Sequence, residues 1–350
     1  MIVGVDCHKH IHAAVVIDDR GQERGAWRGP NTPDGWTALI TWAQQHGTDL
    51  VWGIEGTGQY GRGLAQQLVG HDTAVHEVNP RLTATMRRGS RQQSTSDRRD
   101  ALAIARVVQQ EPTLPVVQAE DATAVLAVQV AAREDLVGDL TALRNRLHQH
   151  LAQLVPVRGP VPTHLTARSV IAELATGTVP EADVLMQAHA TQVRLLATRM
   201  LLAMDQLAEL SAEIARLSAG WTAPLQAIVG VGPLTAGMLA AHLGGKTFAT
   251  DAQLAMYAGV APLDASSGHQ QRHRLNRTGN RQLNAILHRI VLTQRRCSPE
   301  AKAYLAKKRA EGKTAKEAVR CLKRFLARAV LAAWNHCSVP SLNEIEAALT

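Results

Sequence analysis

MIVGVDCHKHIHAAVVIDD, residues 1–19, holds two runs rich in β-branched and small apolar residues, IVGVD at 2–6 and HAAVVI at 12–17. Both read as strands. Outward from them, Gly21 lies in a turn and 22–28 reads as a third strand. Asn31-Thr32-Pro33-Asp34-Gly35 has the form of a cap before a helix over about 33–46. LVWGIE (50–55) is a fourth strand, and Gly56, Gly58, Gly61 and Gly63 make the turn into another helix. TAVHEV (73–78) is a fifth strand, ended by Asn79-Pro80. A short helix, an Arg-rich stretch from Arg87 to Ser96 and a helix from Ser96 to about Gln110 follow. Three early strands, then strands alternating with helices, imply a layered α/β domain with a mixed sheet.

The middle of the chain has a different period. Leu136, Leu140, Leu143, Leu147, Leu151 and Leu154 recur at three- and four-residue steps, as do Leu196, Met200, Ala203, Leu207, Leu210, Ile214 and Leu217. Both stripes have the spacing of coiled-coil seams, and PVRGPVP (156–162) separates them. A long helical hairpin, a dimerising coiled coil and a packed helical spacer all fit. From Trp221 the chain reads as helical with short loops. Gly230 and Gly232 sit between apolar helical stretches in the form of a helix-hairpin-helix, whose glycines bring backbone N–H groups near a phosphate; an ordinary helix connection is the alternative. The expected domains are 1–115, 116–220 (helical coiled-coil region) and 221–340 (mostly helical), with 341–350 as a C-terminal tail.

Composition limits the function classes. The 350 residues are 45% hydrophobic, which excludes global disorder. No apolar run reaches the ~18 residues of a membrane span. The first residues lack the basic-then-apolar pattern of a secretory signal, and Cys7, Cys297, Cys321 and Cys337 show no CxxC spacing, so a reducing cytoplasm is expected. The net charge of +8 hides an asymmetry: residues 267–328 carry 17 Lys/Arg against 3 Asp/Glu. A basic segment of that density points to a polyanion partner, against the alternative of a solvated basic surface.

Four acids stand where strands and a helix could bring them together. Asp6 ends the first strand and Glu55 the fourth, while Asp97 and Asp100 lie three apart on one helix face. Each alone has an ordinary role: turn acid or part of an actin-like nucleotide site, turn cap, helix N-terminal acid, partner of Arg98 or Arg99. Converged, they would repel unless divalent cations lay between them, and all-oxygen ligation favours Mg²⁺ or Mn²⁺. His8, His10 and His12 alternate along the entry to the second strand; metal ligation is one reading, and solvent-facing or ladder histidines are the favoured one.

GVDCHK (4–9), IEGTGQYG (54–61) and SDRRDALAIA (96–105) resemble the RuvC-like domain of DEDD transposases, in particular the insertion-sequence-110 family. GVGPLTA (230–236) resembles that family's hairpin motif. YAGVAP (257–262) followed by Ser266-Ser267-Gly268 resembles its serine loop, and RTGNRQL (277–283) its basic Gly-Asn segment.

The resemblance implies a ribonuclease-H-like first domain whose tetrad, here Asp6, Glu55, Asp97 and Asp100, binds Mg²⁺, with Mn²⁺ as the alternative. It implies a nucleophilic serine in the C-terminal domain, matching Ser267 with Ser266 beside it, that forms a transient phosphoserine link to DNA. It further implies donor and target DNA, a structured bridge RNA as guide, sites composed between protomers of a dimer or tetramer, and a nucleoid-associated location. Arg272, Arg274, Arg277, Asn280 and Arg281 follow the serine, and Lys307, Lys308 and Arg324 lie further on; these are the expected nucleic-acid contacts. Arg87, Arg88 and Arg91 form a second basic patch near the tetrad. With 3% aromatics, backbone and shape binding is expected over base stacking. A RuvC-like nuclease that uses water and a non-catalytic nucleic-acid scaffold are the alternative functions.

Overall fold

The computed structural model describes residues 1–88, 96–111, 114–178, 183–264, 273–275 and 279–349. The chain divides into two compact units: Met1–Glu120 with Gly245–Thr247, and Asp121–Gly244 with Phe248–Thr350.

The first unit opens with β1 (Ile2–Cys7), β2 (Ile11–Ile17) and β3 (Glu23–Pro30), paired antiparallel. Helix α1 (Pro33–Gln44) then leads to β4 (Val51–Glu55), α2 (Arg62–Val69) to β5 (Val75–Val78), and α3 (Pro80–Arg88) and α4 (Asp97–Gln110) follow. Helix α1 starts where its sequence says it should: the Thr32 hydroxyl accepts from the Gly35 N–H and Pro33 takes the first turn. Strands β4 and β5 run parallel to β1, and the sheet order is β3-β2-β1-β4-β5. This mixed sheet fits the ribonuclease-H-like expectation.

Both faces of the sheet are covered, which is why β1 and β2 read as continuous apolar runs. Val3, Val5, Ala14 and Val16 pack on one side against Leu39 of α1 and Leu64 and Leu68 of α2. Val15 and Ile17 pack on the other against Ala101 and Ala105 of α4. Strand β3 alternates half-buried and exposed residues, as an edge strand with charged positions does.

The second unit is built on α5 (Ala122–Gln153) and α8 (Val184–Leu217), with α6 (Val155–Arg158) and α7 (Arg168–Thr176) between them. The two long helices run antiparallel: Arg133 Nε donates to Ser211 Oγ at 2.9 Å, and at the other end the His150 and His189 Nδ1 atoms are 2.9 Å apart. Leu140, Leu143, Leu147, Leu151 and Leu154 are buried against Leu196, Met200 and Ala203. The leucine seams therefore cover one another within a single chain, so of the arrangements their spacing allowed the fold adopts the hairpin.

Helices α9 (Ala223–Gln226), α10 (Pro233–Leu243), α11 (Asp251–Tyr257), α12 (Arg281–Cys297), α13 (Pro299–Ala310), α14 (Ala315–Trp334) and α15 (Leu342–Leu349), with the small ladder of β6 (Pro262–Asp264) and β7 (His273–Leu275), complete the unit. They share a core with the base of the hairpin, where Leu126, Val130, Ile214 and Leu217 meet Leu239, Leu287 and Leu326. The Gly230 turn follows the single helical turn of α9 and leads through Gly232 into α10. Gly230 has φ +89°, and a Cβ there would lie 3.3 Å from the Ile290 carbonyl oxygen of α12. Gln294 of α12 donates to the Val229 carbonyl at 2.8 Å. Among the described residues no helix is long and apolar enough to cross a membrane.

Candidate metal centre

Asp6 stands near the end of β1, one residue beyond the Val5–Ile54 pair, and Glu55 holds the matching place on β4. Parallel pairing thus sets two acids side by side at the same edge of the sheet. Helix α4 brings the other two. It lies close on β1 because position 4 is glycine: a Cβ there would come within 2.2 Å of the Ala101 carbonyl oxygen and 2.4 Å of the Ala105 nitrogen. Asp97 begins α4 and Asp100 completes its first turn.

Asp6 is buried, and its carboxyl is pushed up to about 6. Burial is the main cause; Asp100 and Glu55 raise it further, and His8 acts against them. Glu55 and Asp100 therefore both lie close enough to Asp6 to oppose its charge. The Cys7 thiol is also pushed far up, first by burial and then by Asp6 and Glu55. Glu55 Oε2 accepts from the buried Thr83 hydroxyl of α3 at 2.9 Å.

Among the described residues, His8 and Arg28 approach the acids. His8 Nε2 lies 3.0 Å from Asp6 Oδ2 and 3.7 Å from Asp97 Oδ1, and Arg28 Nε of β3 lies 3.5 Å from Asp97 Oδ2. His8 thus differs from the other two histidines of its run. His10 is exposed, and His12 is buried in β2 with Nδ1 3.2 Å from the Ile11 carbonyl, a ladder histidine as expected. The acids fit a divalent cation: a buried carboxyl whose charge is opposed by two others is the group that gains most from one. The donor set is mainly carboxylate oxygen, suited to Mg²⁺ or Mn²⁺. Sequence reasoning passed over Thr83 and Arg28, whose approach depends on the packing of α3 and β3. It set His8 aside although the residue lies only two positions from Asp6.

The remaining expected site residues are distributed as follows. Ser266, Ser267, Arg91, Arg272 and Arg277 lie outside the described residues. Arg87 and Arg88 end α3 and Arg274 is on β7, with only their backbone described. Asn280 caps α12: its side chain accepts from the Leu283 N–H at 2.9 Å and donates to the Tyr257 hydroxyl at 3.0 Å. Arg281 and Lys307 are exposed. Lys308 pairs with Glu311 at 2.7 Å, and Arg324 pairs with Asp251 at 2.8 Å. The last two cations thus already have carboxylate partners within the second unit.

Comparison with known proteins gives matches at both ends of the chain. Residues 3–156 match the DEDD family of the IS110 group, described as a transposase, and residues 222–306 match the family described as the transposase IS116/IS110/IS902 family. A protein of Streptomyces coelicolor, strain ATCC BAA-471 / A3(2) / M145, named "Insertion element IS110 uncharacterized 43.6 kDa protein", is 37% identical over 102 residues. That stretch is 29% of this chain and spans a quarter, 25%, of the relative's length.

Proposed function

We propose that this chain, which belongs to the IS110 family of insertion-element transposases, is a divalent-cation-dependent DNA recombinase whose first unit holds the metal and whose second supplies the nucleophile. The observation that carries this reading is the convergence of acids from β1, β4 and α4 on the buried Asp6. Asp6, Glu55, Asp97 and Asp100 would hold Mg²⁺ or Mn²⁺. Such a cation polarises a phosphodiester and neutralises the charge that develops on its oxygens. Thr83 fixes the Glu55 carboxylate and Arg28 leans on Asp97, so two of the four acids are oriented from neighbouring elements.

Ser267, the residue that matches the family's serine, is assigned the attack on phosphorus. Its Oγ–P bond forms as the bond to the leaving strand breaks, and the departing oxygen takes up a proton. The phosphoserine ester keeps the strand joinable, which hydrolysis by water would not. Arg272, Arg274, Arg277 and Arg281 are assigned to backbone phosphates, as are Arg87, Arg88, Arg91 and Lys307. Donor and target DNA are the substrates, a structured RNA is the guide, and the working particle is a homo-oligomer. The oligomer rests on the family resemblance alone, because most of the leucine-seam residues are covered within the chain, in the hairpin and at its base.

The test is strand cleavage of family-end DNA in Mg²⁺ or Mn²⁺ with the insertion element's structured RNA present, with products run on a denaturing gel. The wild-type chain is expected to leave a covalent protein–DNA adduct. Asp6→Asn should lower cleavage by at least about a thousandfold. Ser267→Ala should abolish the adduct while Ser266→Ala keeps it. Cleavage without any adduct would mark a nuclease that uses water, and tight binding with no cleavage would mark a scaffold; either result overturns the reading.

A further inference from the structure

His8 touches two of the four acids. Its main chain is held from both sides just beyond β1: its N–H donates to the Ile11 carbonyl at 3.0 Å, and the Asn31 side-chain amide donates to its carbonyl at 3.2 Å. Asn31 is itself fixed, since its Oδ1 accepts from the Trp36 indole at 2.7 Å. The backbone that presents the imidazole is therefore tied to β2 and α1. The side chain is half exposed, so packing does not force it onto the acids.

The atom spacings fall within the range spanned by ligands to one ion. Adjacent ligands in an octahedral shell with bonds of about 2.1 Å stand about 3.0 Å apart, and opposite ones about 4.2 Å. His8 Nε2 is 3.0 Å from Asp6 Oδ2 and 3.7 Å from Asp97 Oδ1. One donor atom from each of Asp6, His8 and Asp97 lies within 4.8 Å of the others. The first spacing is also that of a hydrogen bond; the second brings the same nitrogen near an acid carried by a different element, α4.

We infer that His8 is a nitrogen ligand, through Nε2, of the divalent cation held by Asp6 and Asp97, and that it biases the site toward Mn²⁺ over Mg²⁺. The inference rests on the proposal that the acids bind a metal. A neutral imidazole with its proton on Nδ1 supplies the Nε2 lone pair. Imidazole suits transition metals, whereas Mg²⁺ takes oxygen ligands almost exclusively.

The experiment is pulsed electron paramagnetic resonance of Mn²⁺ bound to the full chain. Two samples are compared, one with natural nitrogen and one labelled with ¹⁵N in histidine only. The expected result is a nitrogen coupling that changes with the label. It should vanish in His8→Ala and persist in His10→Ala. Calorimetric titration should show His8→Ala weakening Mn²⁺ binding by about tenfold or more. Mg²⁺ binding should change far less than Mn²⁺ binding. The labelled wild-type chain shows whether any histidine binds the ion, and His8→Ala, shown to fold by its circular dichroism, assigns it; a coupling that persists in folded His8→Ala overturns the inference. If Mn²⁺ binds in an Asp6-dependent way with no histidine coupling, His8 is not a ligand and the acidic site stands. If Mn²⁺ binding does not depend on Asp6, the metal site itself fails and the inference with it.

Discussion

Asp6 is opposed by two other acids, and burial, ahead of Asp100 and Glu55, carries its carboxyl up to about 6, with His8 acting the other way. In the metal-free protein this has a definite sign. The folded chain keeps the Asp6 proton to higher pH than the unfolded chain, whose aspartate titrates at 3.8. The stability contributed by this group is therefore fully present below about pH 4 and is lost as pH rises through about 6. With a chelator present, Asp6→Asn is predicted to stabilise the fold at pH 7.5 by about 2 kcal/mol, with the gain gone by pH 4; denaturant unfolding at the two pH values measures it. The placement of the four acids was legible in the sequence, because two strand ends and an i, i+3 pair fix where they stand on β1, β4 and α4. The turn of His8 toward them was not legible, because it depends on a side-chain rotamer rather than on a period. The hydrogen bond from Thr83 to Glu55 spans 28 residues, and no local pattern encodes it.

At the scale of elements, α4 carries half of the acids and reaches them only because Gly4 leaves room on β1. Gly4→Ala would drive a methyl group into the Ala101 carbonyl and the Ala105 nitrogen, both backbone atoms that cannot step aside. We expect it to cost about 3 kcal/mol in denaturant unfolding and to weaken metal binding through Asp97 and Asp100. Gly138 is the contrast: it lies inside α5, and a methyl group added there would meet nothing within 4 Å. Gly138→Ala should therefore raise stability by about 0.5–1 kcal/mol. The five strands were readable from β-branched runs and the glycine turns, while the order β3-β2-β1-β4-β5 comes from the pairing in the structure. The partner of the leucine seams was not readable. A seam shows that a helix face is covered, while a hairpin and a dimer present the same spacing, and only the antiparallel pairing of α5 with α8 decides between them.

For the whole molecule, the two units carry separate cores, one around Val5, Trp52 and Ile54 and the others in the long hairpin and the C-terminal helices. Leu147 is fully buried in the hairpin, and Leu147→Ala is predicted to cost about 3 kcal/mol. Combined with Gly4→Ala, the two losses should add within about 0.5 kcal/mol, measured by unfolding of the single and double variants. The charge asymmetry was plain from composition, yet several of its cations have local partners: Arg324 and Arg328 both hold Asp251, and Lys308 holds Glu311. Counting charge along a chain locates a basic segment but does not show which cations remain for a polyanion. The account as a whole depends on a cation at the edge of the first sheet, and anomalous X-ray diffraction from crystals of the full chain soaked in Mn²⁺ tests this most directly. A manganese peak bonded to the Asp6 carboxylate and within reach of at least two of Glu55, Asp97 and Asp100 is the predicted result. Manganese bound elsewhere, with none at Asp6, would contradict it.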